Sequence, residues 1–108
     1  MEIKLNHTNA SDQITIRTQF SSYSFRVTDP LTCRGLLSGG SLGDQPEDAY
    51  FAGAISRASR QPHDATRLIT GCHAVFFVGR KDLTRLTTSI VTKINLSATQ
   101  AEACGNPE

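Results

Sequence analysis

The chain has 108 residues, of which 38% are hydrophobic and 19% charged, and its formal net charge is +1. That is the size of one domain with one modest core. No apolar run approaches the roughly 18 residues of a membrane span, and the first twenty residues lack the basic start and apolar block of a secretory signal. Three cysteines without such a signal argue against a disulfide framework and for a reduced, cytoplasmic setting.

Twelve Thr and ten Ser make up a fifth of the chain. Thr suits a pleated, half-buried surface and Ser suits turns, so the composition points to β structure. Residues 1–12 read as an N-terminal extension or edge strand, 13–96 as a single β domain, and 97–108 as a flexible or short helical tail.

The pattern is clearest from Gln13 to Thr28. Ile14 and Ile16 alternate with Thr15 and Arg17, and Tyr23, Phe25 and Val27 alternate with Ser24 and Arg26 on the opposite parity. Such a switch predicts a hairpin turning between Gln19 and Ser22, with Ile16 facing Phe25 and Ile14 facing Val27. One long bent strand with a bulge is the alternative, because the turn lacks Asn-Gly or Asp-Gly. Asp29-Pro30 ends the unit. Cys33 to Ser38 reads as a short third strand, and Gly39 to Asp48 as an exposed, mobile loop holding Asp44, Glu47 and Asp48. Ala49 to Ile55 (AYFAGAI) reads as a buried strand, and Ser56 to Asp64 as a second exposed loop. Strand character returns at Arg67 and breaks at Gly71. Cys72 to Val78 is apolar on both parities, which predicts a central strand covered on both faces. After a turn at Gly79 to Asp82, Leu86, Thr88, Ile90, Thr92 and Ile94 share one parity in a long closing strand.

Six or seven short strands without an internal helix predict an all-β fold. A small antiparallel barrel, SH3-like or similar, is the first choice and a small β-sandwich the alternative, since rolling up removes exposed edges.

Chemistry-bearing patterns are sparse. Cys33, Cys72, Cys104, His7, His63 and His73 form no CxxC, HxH or HExxH, and Cys72 and His73, adjacent on a strand, point to opposite faces. Cys33 and Cys72 therefore read as buried structural thiols, and no metal or other cofactor is expected. The glycines at 39 to 43 have neither a nucleophile elbow nor the lysine of a phosphate loop. Paired catalytic carboxylates are absent too.

Charge placement rises above this background. From Gln13 to Ile94, leaving out 44–48, ten bases face three acids, a formal +7, and most of the bases are Arg. Arginine suits bidentate contacts to phosphate or carboxylate. Against a nucleic-acid surface stand the dispersal of these bases and the assignment of Tyr23, Phe25, Phe76 and Phe77 to the core, which leaves no exposed stacking platform.

The segments SSYSFRVTDP, CRGLLSGG and TTSIVTKI, in this order, resemble a pattern of small uncharacterised bacterial β proteins. The resemblance implies a bacterial, cytoplasmic, single β domain and carries no activity, cofactor or site.

The function expected is a non-enzymatic β-barrel module binding an anionic partner, with nucleic acid the leading class. Arg17, Arg26, Arg34 and Arg85 supply the positive surface and Gly39 to Asp48 its rim. The alternative is a scaffold or homo-oligomeric assembly protein pairing through an edge strand or AYFAGAI. A small hydrolase using His63 or His73 ranks third.

Overall fold

The computed structural model describes residues 2–56 and 65–97. The expected loop at 56–64 therefore lies outside the described residues except for Ser56, and so do His63, Cys104 and the tail beyond Ser97. Eight strands follow in chain order: β1 (Glu2–Lys4), β2 (Gln13–Thr18), β3 (Ser22–Asp29), β4 (Arg34–Gly39), β5 (Glu47–Ser56), β6 (Arg67–Ile69), β7 (Cys72–Val78) and β8 (Thr84–Ser97). Short 3-10 turns at Leu5–His7, Pro30–Thr32 and Gly40–Leu42 are the only helical pieces described.

Six strands close into an antiparallel ring in the order β2-β3-β4-β5-β7-β8, with β8 returning to β2. The sheet is thus a small closed barrel, not the alternative sandwich, and each ring strand has both backbone edges engaged. Strands β1 and β6 form a separate antiparallel pair. Leu5, just after β1, and Leu68 on β6 are 1% exposed and join the core cluster, with Ile3 packed against it. The pair therefore plugs the end of the ring where β2 and β7 begin.

Inside, Phe25 lies 5.3 Å from Phe76, and Phe76 lies 5.4 Å from Phe51. Ile14, Ile16, Val27, Leu37, Val91 and Ile94 fill the space around the rings. A fully buried side chain of this size contributes roughly 1.5–3 kcal/mol by leaving water, so the alternating face of β2 and β3 is what drives this wall to form.

The hairpin forms with the expected faces but a different register. Ile14 opposes Phe25 and Ile16 opposes Tyr23, a shift of two residues. The cause is local. The Thr18 N–H donates to the Ser21 carbonyl (2.8 Å), and the Thr18 hydroxyl accepts from the Ser21 N–H (3.0 Å), which centres the turn on Gln19-Phe20. A shift of two keeps every side chain on its own face.

Three further expectations need correction. Glu47 and Asp48 belong to β5, not to a mobile loop, because Glu47 pairs with Leu37 and Asp48 with Leu36. The exposed connection is correspondingly shorter, and the Gly39 N–H closes it onto the Gly43 carbonyl (2.7 Å) with Gly39 at φ +102°. The single parity of β8 also fails. Leu86, Thr88 and Ile94 face inward as expected, but Val91 takes the place of Ile90 and Thr92. One register shift lies between His73 and Val75 against β7, and another between Arg17 and Thr18 against β2. Each bulge adds a residue and turns the following side chains over. Finally, β7 is not covered along both faces. Val75 is buried outside the main cluster, but Phe77 is only half-buried.

Candidate anion-binding and stacking surface

Adjacent strand residues point to opposite faces. The doublets Tyr50-Phe51 on β5 and Phe76-Phe77 on β7 therefore send Phe51 and Phe76 into the core and Tyr50 and Phe77 outward. Tyr50 opposes Phe77 across β5 and β7, and their rings stack at 5.4 Å and 25°. The assignment of Phe77 to the core is thus wrong, and an outer aromatic pair exists where none was expected.

The pairing continues on both sides. Tyr50 opposes Arg34 on β4, whose guanidinium carbon lies 5.9 Å from the Tyr50 ring centre. Phe77 opposes Arg85 on β8. Arg34, Tyr50, Phe77 and Arg85 make one row across four strands on the outside of the ring. At about 4.8 Å per strand spacing, the row spans roughly 14 Å.

Two of the four expected arginines thus flank the aromatic pair. Arg26 on β3 opposes Leu36, and Arg34 lies two residues from Leu36 on the same face of β4, so Arg26 is the diagonal neighbour of Arg34. Arg17 is elsewhere. It opposes Ser22 and Lys93 on the β8-β2-β3 wall, across the ring from Tyr50 and Phe77. Arg26 and Arg34 are therefore near neighbours, Arg85 stands at the far end of the row three strands from Arg34, and Arg17 lies apart from the row.

Electrostatics leave these bases available. The ion pairs among the described residues are Glu2–Arg67 and Asp48–Arg80. None of Arg17, Arg26, Arg34 or Arg85 pairs with a described carboxylate. Asp29 opposes Arg34, but its carboxylate accepts the Leu31 N–H (3.2 Å) in the following turn. Asp48, two residues before Tyr50 on β5, is held by Arg80, and the hydrogen bond from Arg80 to Asp48 raises the Arg80 pKa.

Two clefts adjoin the row. An open one of about 490 Å³ at the ring mouth is lined by Leu42, Val78 and Leu86 together with Glu47, Asp82 and Arg85. A smaller recess of about 240 Å³ lies on the outer face and is lined by Gln13, Ser24, Arg26, Leu36, Ser38 and Pro46.

Among the described residues, Cys33, Cys72 and His73 bear on the catalytic alternatives. Cys33 and Cys72 are buried. The Nδ1 of His73 lies 2.8 Å from the Thr88 carbonyl, so that nitrogen carries the proton and donates it there. His73 lines neither cleft. Among the described residues, no three His, Cys, Asp or Glu side chains gather as metal ligands, and no helix is long and apolar enough to cross a membrane. In AYFAGAI, β7 pairs along most of the segment, whereas β4 pairs only with Ala49 and Tyr50.

Tyr50 and Phe77 are the residues that sequence reasoning missed. The signal was present in the two aromatic doublets, because two consecutive rings on a strand cannot share one core. No family model, curated protein or solved structure matches the chain.

Proposed function

We propose that the protein is a non-enzymatic binding module for single-stranded nucleic acid, which it takes on the outer face of β4, β5, β7 and β8. The observation that carries this reading is the row Arg34–Tyr50–Phe77–Arg85. Half-buried aromatic rings give bases a stacking platform that tolerates any sequence. Arginines at both ends supply phosphate contacts and can themselves stack on bases. At 5.9 Å the Arg34 guanidinium is at the outer limit of a cation–π contact, so a base can take its place on the ring.

Fluorescence anisotropy tests the reading with labelled single-stranded DNA, single-stranded RNA and duplex DNA at low and physiological salt. Single strands bind more tightly than duplex, and affinity falls steeply with salt. Tyr50→Ala and Phe77→Ala each weaken binding by about five- to 150-fold, the equivalent of roughly 1–3 kcal/mol per stacked base. Arg34→Gln and Arg85→Gln each flatten the salt slope by about 0.7. Duplex binding equal to single-strand binding, or aromatic variants that bind like the parent, overturns the proposal.

A second reading, a homo-oligomeric scaffold, rests on Phe20 and Leu31, each 85% exposed. They sit at opposite ends of the ring, on the β2–β3 and β3–β4 connections. Sedimentation at two concentrations decides it: a monomer at both removes this reading.

A further inference from the structure

We propose that the recess formed by β2, β3 and β4 together with Pro46 is a subsite for a terminal phosphate group. This deepens the nucleic-acid reading and rests on it. Gln13 opposes Arg26, and Ser24 opposes Ser38, so these four polar side chains meet on one patch of the outer face. The Gln13 side-chain amide donates to the Ser24 hydroxyl oxygen at 2.8 Å. With its oxygen accepting there, Ser24 has its own proton left to donate. The Ser38 hydroxyl and the Arg26 guanidinium have no partner among the described residues. The recess thus offers a guanidinium and two hydroxyls, and no carboxylate lines it.

This donor set matches a tetrahedral oxoanion. Arginine's planar fork binds phosphate oxygens in pairs, and each hydroxyl adds one further donor. The remaining lining, Leu36 and Pro46, is apolar, and proline offers no N–H. An internal phosphodiester presents two free oxygens and needs two exits for the chain, whereas a terminal phosphate presents three and needs one exit. Three donor groups in one recess match the three free oxygens of the terminal group. Arg26 is the diagonal neighbour of Arg34, so a strand stacked on Tyr50 and Phe77 can end here. Of the acids in this direction, Asp48 lies beyond Leu36 and is held by Arg80, and Asp29, opposite Arg34, accepts the Leu31 N–H.

The test is anisotropy with a short single strand, labelled on an internal base, carrying a 5′-phosphate, a 3′-phosphate or hydroxyls at both ends. One phosphorylated form binds about tenfold tighter than the hydroxyl form. The Ser24→Ala/Ser38→Ala variant loses that preference and keeps its affinity for the hydroxyl form. Arg26→Gln, a second variant, also loses the preference. Equal binding of all three forms overturns the subsite and leaves the nucleic-acid reading standing. If no strand binds, that reading fails, and inorganic phosphate followed by amide chemical shifts decides the subsite alone. Saturable shifts at Ser24, Arg26 and Ser38 support it, and their absence overturns it.

Discussion

At Gly35 the fold depends on a missing side chain. Gly35 faces inward on β4 opposite Val27, and a Cβ built there would lie 2.8 Å from the Phe25 ring and closer still to the Arg26 carbonyl. Phe25 packs on Phe76 through this space, so Gly35→Ala forces either the ring or the β3–β4 ladder to move. Overpacking of this kind costs about 1–3 kcal/mol, which urea denaturation will show as a lower midpoint. Thr88 works by addition where Gly35 works by absence. Its hydroxyl, 3% exposed with the rest of the residue, accepts the Ala74 N–H (3.0 Å) and donates to the Ser89 carbonyl (2.7 Å) at the β8 bulge. Thr88→Val strands the Ala74 N–H and destabilises by about 1–3 kcal/mol. Thr88→Ser, which keeps the hydroxyl, recovers most of that loss in the same denaturation series.

Strand β8 shows what bulges do at the scale of an element. Its fourteen residues serve two partners, β7 with the first half and β2 with the second. A regular strand would not turn its face far enough to serve both sides of so narrow a ring, and the bulges supply the extra twist. The β1–β6 pair is the weakly tied element, three residues in each strand. The Glu2–Arg67 ion pair spans its ends, and the hydrogen bond from Arg67 holds the Glu2 carboxyl below the usual carboxylate range. A depressed carboxylate pKa contributes stability above the unfolded-state value and loses it as pH falls through the folded-state value. Acidification down through the lowered Glu2 value therefore loosens this pair before the ring. Hydrogen exchange at Ile3 and Leu68 will accelerate ahead of exchange at Phe25 and Phe76, and Glu2→Gln will remove that pH dependence.

Over the whole molecule, ring closure sorts a nearly neutral chain into walls of different character. The β4-β5-β7-β8 wall carries rings between arginines, whereas the β8-β2-β3 wall carries Arg17 beside Lys93 among Ser and Thr. This asymmetry separates local contact from general attraction. Arg17→Gln will weaken single-strand binding less than Arg34→Gln or Arg85→Gln, because Arg17 acts only through the long-range field, which salt screens within about 10 Å. Equal losses for all three, measured by anisotropy at physiological salt, would make the surface a diffuse positive field and remove the case for a stacking row.

Much of the fold is legible in the sequence because side-chain parity is a local property. Alternation in Gln13–Thr18 and Ser22–Asp29 determined a hairpin with one apolar face, and a strand-rich chain of this length had to close on itself to bury its edges. Tertiary structure decided the rest. The hairpin register turned on one Thr18–Ser21 exchange, and the inward face of β8 on two bulges, each set by a neighbouring strand. The surface was only half legible: the doublets Tyr50-Phe51 and Phe76-Phe77 required outward rings, but not that the two would meet. Arg34 precedes Arg85 by some fifty positions, and only the successive β4–β5, β5–β7 and β7–β8 pairings bring both into register with Tyr50 and Phe77. A sequence records which face each side chain takes, while the pairing of strands far apart in the chain determines which side chains share that face.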